Sequence, residues 1–478
     1  MLLRQTLLYL PAQVIGPIVQ FLSLVLWTYF LDPVEMGVFA LIMAAQELAY
    51  TATLFYFTIY SVRYFDKSAG PREQAAFFNT ESAAMLVGAV VSTGAVALMP
   101  LFTDVSWSGG LGVATFVYTF LRTIGMHLPE RVRAATDTLS YTVMQVALPI
   151  IGLALGIALV KAWGPTAANV IWGYAIGQLV ALVPVLSRIG IGRHPLAFSP
   201  ETLRAARRYG LPLVAGGLCL WLANNGLRFV IERQEGPAGV GVVTVGWGLG
   251  LRAATFAAML VTAAGFPLAV ARTREGGMAE GQAQLVRNGV LLFAILAPSA
   301  AGLWAIATPL VDLIVAAPFR EMTAAVLPWA ILAGSARNFR VHFGQQVFLL
   351  REETHIPLLH DIFDAIATVI GGIIGLAHGG LIGSVQGAAI ASLASLLLTF
   401  ATGAVRHGFG LPFAHFLRIG GATIFMFLVL QAMPIQSGVV SLAVAVTSGM
   451  LTYALGLALA YPHDARLLLS RLRRGELL

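Results

Sequence analysis

Runs of about 20 apolar residues recur from one end of this 478-residue chain to the other. Inside a bilayer every backbone amide and carbonyl must find a partner within the protein, so only α-helices and closed β-barrels can span it. Barrel strands alternate apolar and polar residues over roughly 10 positions, and these runs do not alternate. The chain is therefore expected to be all-α and polytopic, with about fourteen transmembrane helices. The runs fall near 7–30, 37–62, 82–102, 108–127, 142–160, 167–187, 210–231, 240–266, 288–315, 323–349, 358–377, 381–405, 417–434 and 437–461. Charged residues make up 11% of the chain, against about 25% in soluble domains. The first run contains Pro11, Gln13 and Gln20 and continues to Phe30, too long for the apolar region of a cleavable signal. Cys219 is the single cysteine, which excludes an intrachain disulfide framework and a cysteine-rich metal site.

The loops test the span count. With a cytoplasmic N-terminus, the inside loops and tails collect 21 of the 29 Lys and Arg residues, among them Arg63, Arg133, Arg188, Arg207, Arg274, Arg351 and the tail residues Arg471, Arg473 and Arg474. The outside loops hold Lys161, Arg233 and Arg320. Such asymmetry over short loops is the positive-inside pattern, and it places both termini in the cytoplasm. It also accounts for the net charge of +7 without nucleic acid.

The five remaining arginines lie inside the runs: Arg122, Arg228, Arg252, Arg337 and Arg340. An arginine at bilayer depth costs about 2.5–3.5 kcal/mol or more, so each should face protein or water rather than lipid. Five charges of one sign point to a cationic, water-accessible cavity and an anionic cargo.

The chain also repeats. Pro33 and Gly37 follow the first span, and Pro237 and Gly241 follow the seventh, at a constant offset of 204. At that offset Arg4 matches Arg208, Leu7 matches Leu211 and Gln20 matches Asn224. Proline fixes φ and glycine permits close or left-handed backbone, which suits a tight turn between antiparallel spans. Repeats that begin six spans apart share one orientation, so a pseudo-twofold axis along the membrane normal is expected.

Each repeat opens on a polar stripe: Gln13, Gly16, Pro17 and Gln20 in span 1, and Gly217, Trp221, Asn224 and Arg228 in span 7. Helix-to-helix adhesion and cavity lining both remain open for these residues. Span 2 carries Gln46 and Glu47, and span 8 carries Arg252 at similar depth. Glu47 is a candidate coupling residue for a proton or sodium gradient, with Arg252 as its counterpart across the cavity; a structural ion pair is the plainer alternative. Span 10 is the most polar, with Arg337, Asn338, Arg340, His342, Gln345 and Gln346. Arg337 and Arg340 project on one face and suit a diphosphate held bidentately. Asp361 and Asp364 on span 11 have the same spacing and are the alternative partners. Arg122, near the inside end of span 4, is either a cavity residue or an interface anchor.

Other chemistry is missing from the sequence. There is no phosphate-binding loop of the GxxxxGKS/T type and no HExxH pattern, so neither nucleotide hydrolysis nor a metal cofactor is expected, and the chain does not read as an enzyme. Asp32, Glu35 and Asp104 fall in outside loops and read as solvated. Residues 199–209 form a basic segment, read as an amphipathic helix on anionic lipid held by Arg204, Arg207 and Arg208. The expected organisation is an N-terminal lobe at 1–198, a linker at 199–209, a C-terminal lobe at 210–405, and two extra spans with a basic tail at 406–478.

Three stretches carry a resemblance. Tyr29–Ala40 (YFLDPVEMGVFA), Arg208–Leu213 (RYGLPL) and Pro309–Leu313 followed by Phe319–Pro328 (FREMTAAVLP) resemble segments of bacterial polysaccharide and O-antigen flippases. These belong to the multidrug/oligosaccharidyl-lipid/polysaccharide exporter superfamily. Ala316-Ala317-Pro318 departs from the family, which has a glycine there. The resemblance implies two six-helix lobes around a central cavity, alternating access, and an inner-membrane location. It implies a polyprenyl-diphosphate-linked oligosaccharide as substrate, membrane lipids as surroundings, and the polysaccharide polymerase and chain-length machinery as partners. The substrate-contact residues would be Arg337, Arg340, Arg252, Arg228, Arg122, Asn338, Asn224 and Gln20. The alternatives are a cation-coupled multidrug exporter and a non-transporting scaffold for glycan assembly.

Overall fold

A computed structural model describes the backbone of residues 2–66, 69–189, 195–464 and 466, and the side chains of these except 2–14 and 263–264. The side chains of Arg4, Leu7, Gln13, Lys67 and Arg193, and the tail arginines Arg471, Arg473 and Arg474, lie outside that description. Among the described residues every regular element is helical. Ten continuous helices are long and apolar enough to cross a membrane. Two of those ten are hairpins that run on through a glycine turn, and every expected span has its helix.

Span 1 is α1 (Leu2–Trp27). Span 2 is broken into α2 (Pro33–Thr53) and α3 (Phe55–Tyr64) at Leu54, whose φ and ψ are −118° and −20°. The cause is visible just before the break. The hydroxyls of Thr51 and Thr53 donate back to the carbonyls of Glu47 and Ala49, at 2.8 and 2.7 Å, a competition that bends helices. Spans 3 to 6 are α4 (Pro71–Ala97), α5 (Leu111–Ala134), the run α6–α7, and α8 (Ala167–Ile189). In span 5, α6 (Thr138–Thr142) and α7 (Leu148–Trp163) are joined by a π-turn over Val143–Ala147. Pro149 has no amide to donate to Gln145. The Gln145 carbonyl instead lies against Gly16 of α1, at a spot where a Cβ would be 2.9 Å from it.

Spans 7 and 8 form α9 (Pro200–Gly276), reversed at Gly236, whose φ of 64° and ψ of −174° suit glycine alone. Residues 200–209 are the first turns of this helix, continuous with span 7, rather than a separate surface helix. Arg204, Arg207 and Arg208 are exposed on it while Ala206 is buried. Span 9 is α10 (Met278–Ala305) with α11 (Ala307–Ile314), and span 10 is α12 (Ala317–Phe339), a second π-turn at Arg340–Gly344, and α13 (Gln346–Leu350). Spans 11 and 12 form α14 (His355–His407), which turns at Gly379 and Gly380. Spans 13 and 14 are α15 (Phe413–Ala432) and α16 (Val439–Ala460).

Two compact units are distinguished, Met1–Val245 and Gly246–Leu478. The division falls inside α9. In the first unit, α5 packs along α8 and α4, and α7 along α8. Trp27 closes one end, its indole donating to the Tyr174 hydroxyl at 3.1 Å beside the stacked Phe39 and Tyr174 rings. In the second unit, Phe339, Phe343, Phe400 and Phe416 make an aromatic core between α10, α12, α14 and α15.

Two acids of the short loops hold helix starts. Asp32 caps α2, accepting from the Glu35 amide at 2.8 Å, and Glu35 accepts from the Ala167 amide at the start of α8 at 2.6 Å. The amide of Asp104 donates to the buried carboxylate of Glu232. Asp32 and Asp104 are exposed, in keeping with their reading as solvated, and Asp32 caps α2 as well; Glu35 is half-buried.

Candidate functional site

In the second unit, Arg337 and Arg340 leave one face of span 10 at the entry to the π-turn, where the Arg340 carbonyl accepts from the Gln345 amide at 2.8 Å. Facing them on α14 are Asp361, Asp364 and Thr368, also on one helical face. Arg340 reaches Asp361 at 2.8 Å and Asp364 at 3.3 Å; Arg337 lies 3.3 Å from Asp364 and donates to Thr368 Oγ1 at 2.9 Å. The Arg337 guanidinium also sits 5.9 Å from the centre of the Trp247 ring. The Gln345 amide group donates to Asp361 at 2.9 Å. Arg337, Arg340 and Asp364 are buried, and Asp361 is partly exposed. Two guanidiniums thus meet two carboxylates, and the desolvation that a lone buried charge would suffer is offset by pairing. Both arginines have carboxylate partners in this conformation, the pairing that their spacing allowed.

Asn338 points elsewhere. It donates to the Gly334 carbonyl at 2.8 Å and approaches the exposed Thr255 hydroxyl at 3.4 Å. Thr255 lies one turn on from the half-buried Arg252. Arg252, Thr255 and Asn338 therefore make an accessible polar strip between α9 and α12, separate in character from the buried cluster.

In the first unit, the span-7 stripe lies along α2. Trp221 Nε1 donates to the Ala44 carbonyl at 2.8 Å, and Gly217 faces Thr51 and Phe55. Arg228, half-buried, donates to Asn225 Oδ1 at 2.8 Å and lies 3.5 Å from the Ala40 carbonyl. Asn225 in turn donates to the exposed Glu47 at 3.4 Å. So the structure joins Glu47 and Arg228 through Asn225, a residue the sequence stripe passed over. Its neighbour Asn224 is half-buried, and Gln20 is exposed on α1. Arg122 is half-buried on α5, within electrostatic reach of Tyr50 and Tyr118.

One charged cluster was not read from the sequence. Glu81 on α4 and His127 and Arg131 on α5 are all buried. Glu81 accepts from Arg131 Nε, 2.9 Å from Oε1 and 3.1 Å from Oε2, and its Oε1 is 2.9 Å from His127 Nε2. The Arg131 guanidinium stacks 3.3 Å over the Phe65 ring. Arg131 looked like a loop charge because the apolar run stops near residue 127, whereas α5 continues to Ala134. The i, i+4 spacing of His127 and Arg131 was the available signal.

Residues 2–273 match the family described as polysaccharide biosynthesis protein. The chain belongs to that family. Its fold is shared with solved transporters. A lipid II flippase MurJ in an inward closed conformation is similar at a TM-score of 0.75 and 13% identity, covering 95% of this chain and 99% of that one. An inward-facing MATE multidrug resistance transporter of the MOP superfamily gives 0.54 and 16%, covering 84% and 94%; a MATE protein in a bent conformation gives 0.53 and 16% over the same shares. No curated protein matches the chain. The chain is a multi-pass membrane protein with the fold of the MOP-superfamily transporters.

Proposed function

We propose that this protein moves a polyprenyl-diphosphate-linked oligosaccharide across the bacterial inner membrane by alternating access. The observation that carries the reading is the extent of the fold likeness, joined to the family match. The MurJ likeness runs over 95% of the chain, while the MATE likeness stops at 84%. The named cargo of that flippase is a lipid-linked one. The intramembrane arginines support the same reading, because a diphosphate needs planar, multiply donating cations.

Arg252 with Asn338, on the accessible strip, is the part of the set best placed to meet such an anion. Arg337 and Arg340 hold the α12–α14 contact in this conformation, and Asp361, the partly exposed member, is the carboxylate that a phosphate would displace. Grip must stay moderate, since a ligand that binds one conformation much more tightly than the other traps it. The test is lipid-linked sugar accumulation in a deletion strain. Accumulation on the cytoplasmic face, cleared by the plasmid-borne gene, supports the reading. Unchanged lipid-linked sugars together with raised sensitivity to cationic drugs would favour the multidrug alternative.

A further inference from the structure

The buried cluster of the first unit continues past His127. Thr58 Oγ1 lies 2.9 Å from His127 Nδ1, and the Tyr50 hydroxyl donates to Thr58 Oγ1 at 3.0 Å. Thr58 Oγ1 is also 3.3 Å from the Leu54 carbonyl. That carbonyl marks the break between α2 and α3, and it already accepts from the amides of Phe57 and Thr58, at 3.0 and 3.1 Å.

We propose that His127 is a proton-binding site in which either protonation state is fully hydrogen-bonded through Thr58, and that the state adopted sets a side-chain bond to the N-cap carbonyl of α3, at the span-2 break. Glu81, ionised and engaged by Arg131, offers only acceptors, so His127 Nε2 carries a hydrogen in both states. When Nδ1 is bare, the Thr58 hydroxyl turns to it and leaves the Leu54 carbonyl. When Nδ1 takes a proton from water, it donates to Thr58 Oγ1. The Thr58 hydrogen then turns to the Leu54 carbonyl. Oγ1 has two lone pairs, so Tyr50 keeps its acceptor throughout. No bond breaks in the protein; one proton is added and one hydroxyl rotates.

The ring is faced from every side by packed helices. From α4, Glu81 faces the ring directly, and its charge is shared with Arg131 on the same helix as His127. From α3 come Thr58 and the Phe57 ring, and from α2, Tyr50. α8 contributes the neutral Gln178 beside Gly125. Further round α5, Glu130 and Arg133 pair with each other, and Asp137 at the start of α6 is held by Ser140 and Arg188. Because His127 and Glu81 have no exposed surface in this conformation, proton uptake requires the packing of α3, α4 and α8 around this part of α5 to open. Occupancy of the site and movement at the break are therefore linked. The inference does not depend on which cargo the protein carries.

The test uses the purified full-length protein in lipid nanodiscs, without substrate, with isotope-labelled histidine rings followed by NMR. One imidazole, absent from His127→Gln, should titrate between pH 4 and 9 while keeping its Nε2 hydrogen. Glu81→Gln should lower its proton affinity at least tenfold. Hydrogen exchange at the amides of residues 54–60, corrected for the intrinsic pH dependence, should follow the same titration. Thr58→Val should abolish that link and Thr58→Ser restore it, so the idea remains testable even where His127→Gln does not fold. A His127 ring that stays in one state over the whole range overturns the proposal, as does a titration that leaves exchange at 54–60 unchanged.

Discussion

Gly37 and Gly241 face each other's motif reciprocally: a Cβ on Gly37 would collide with the carbonyl of Pro237, and one on Gly241 with the carbonyl of Pro33. The two matching Pro–Gly segments thus meet in a self-complementary contact inside the first unit, as a local twofold demands. Each glycine is there for closeness to a backbone carbonyl, which cannot yield as a side-chain tip can. Gly37→Ala and Gly241→Ala should each destabilise the protein by about 1–3 kcal/mol, the usual range for overpacking. Thermal unfolding in detergent measures this. The double variant should lose less than the sum, because one separation relieves both collisions.

Topology gives a second expectation. Reporter fusions at Gly70 and Gly236 should read opposite sides of the membrane, Gly70 cytoplasmic and Gly236 outside. Matching readings would remove a span from the count.

The apolar runs and loop charges made the helices legible, because hydrocarbon leaves a chain few choices. Breaks within spans were harder to see. Leu54 and the π-turn before Pro149 arise from single side-chain and proline effects that a hydropathy window averages away. Among the charges, Arg337 and Arg340 were found, and their spacing against Asp361 and Asp364 already contained the ion pairs. Glu81, His127 and Arg131 were hidden by the opposite error. They lie where the apolar run fades but the helix continues, so their burial depends on α3 and α4 folding over them. Asn225 was passed over because the stripe was drawn one residue away, through Asn224.

Asp137 is the pH-sensitive cap of the α5–α6 turn. Partial burial raises its pKa, but the hydroxyl and amide of Ser140 and the Arg188 guanidinium, 3.0 Å away, outweigh it and hold the carboxyl below its ordinary value. A depressed carboxylate contributes stability above its unfolded pKa of about 3.9 and loses it as pH falls through the folded value. The melting temperature should therefore drop below about pH 4 more in the wild type than in Asp137→Asn, which keeps an N-cap acceptor but has no charge to lose. Equal pH profiles for the two proteins would remove the role.

The arginine pairs predict a pattern of rescue. Arg340→Ala strands carboxylates and should cost roughly 3–5 kcal/mol, seen as lost protein in the membrane. Asp364 is shared between Arg337 and Arg340, so removing it as well would also take a carboxylate from the buried Arg337. The cleaner partner is Asp361, 2.8 Å from Arg340, whereas Asp364 is shared between both arginines. Arg340→Ala with Asp361→Ala should restore the protein level. If export returns as well, Arg340 has no part in holding substrate. Normal protein with no export would assign it one.

Arg252 and Asn338 separate transport from stability most clearly. The strip they form with Thr255 is accessible, and Arg252 is half-buried on it. Asn338→Ala should leave the unfolding free energy within about 1 kcal/mol of wild type, and Arg252→Ala should still give folded protein in the membrane, checked by thermal unfolding in detergent. Export should still fall tenfold or more with Arg252→Ala, about 1.4 kcal/mol of lost interaction with the anion. Arg252→Lys discriminates between roles. An ammonium keeps the charge but loses the planar fork, so a residue that grips a diphosphate is poorly replaced, whereas one that only sets the local potential is replaced well. Full export with Lys and none with Ala would make Arg252 a field-setting charge. Poor export with both, at normal protein level, is the outcome expected of a residue that holds phosphate oxygens directly.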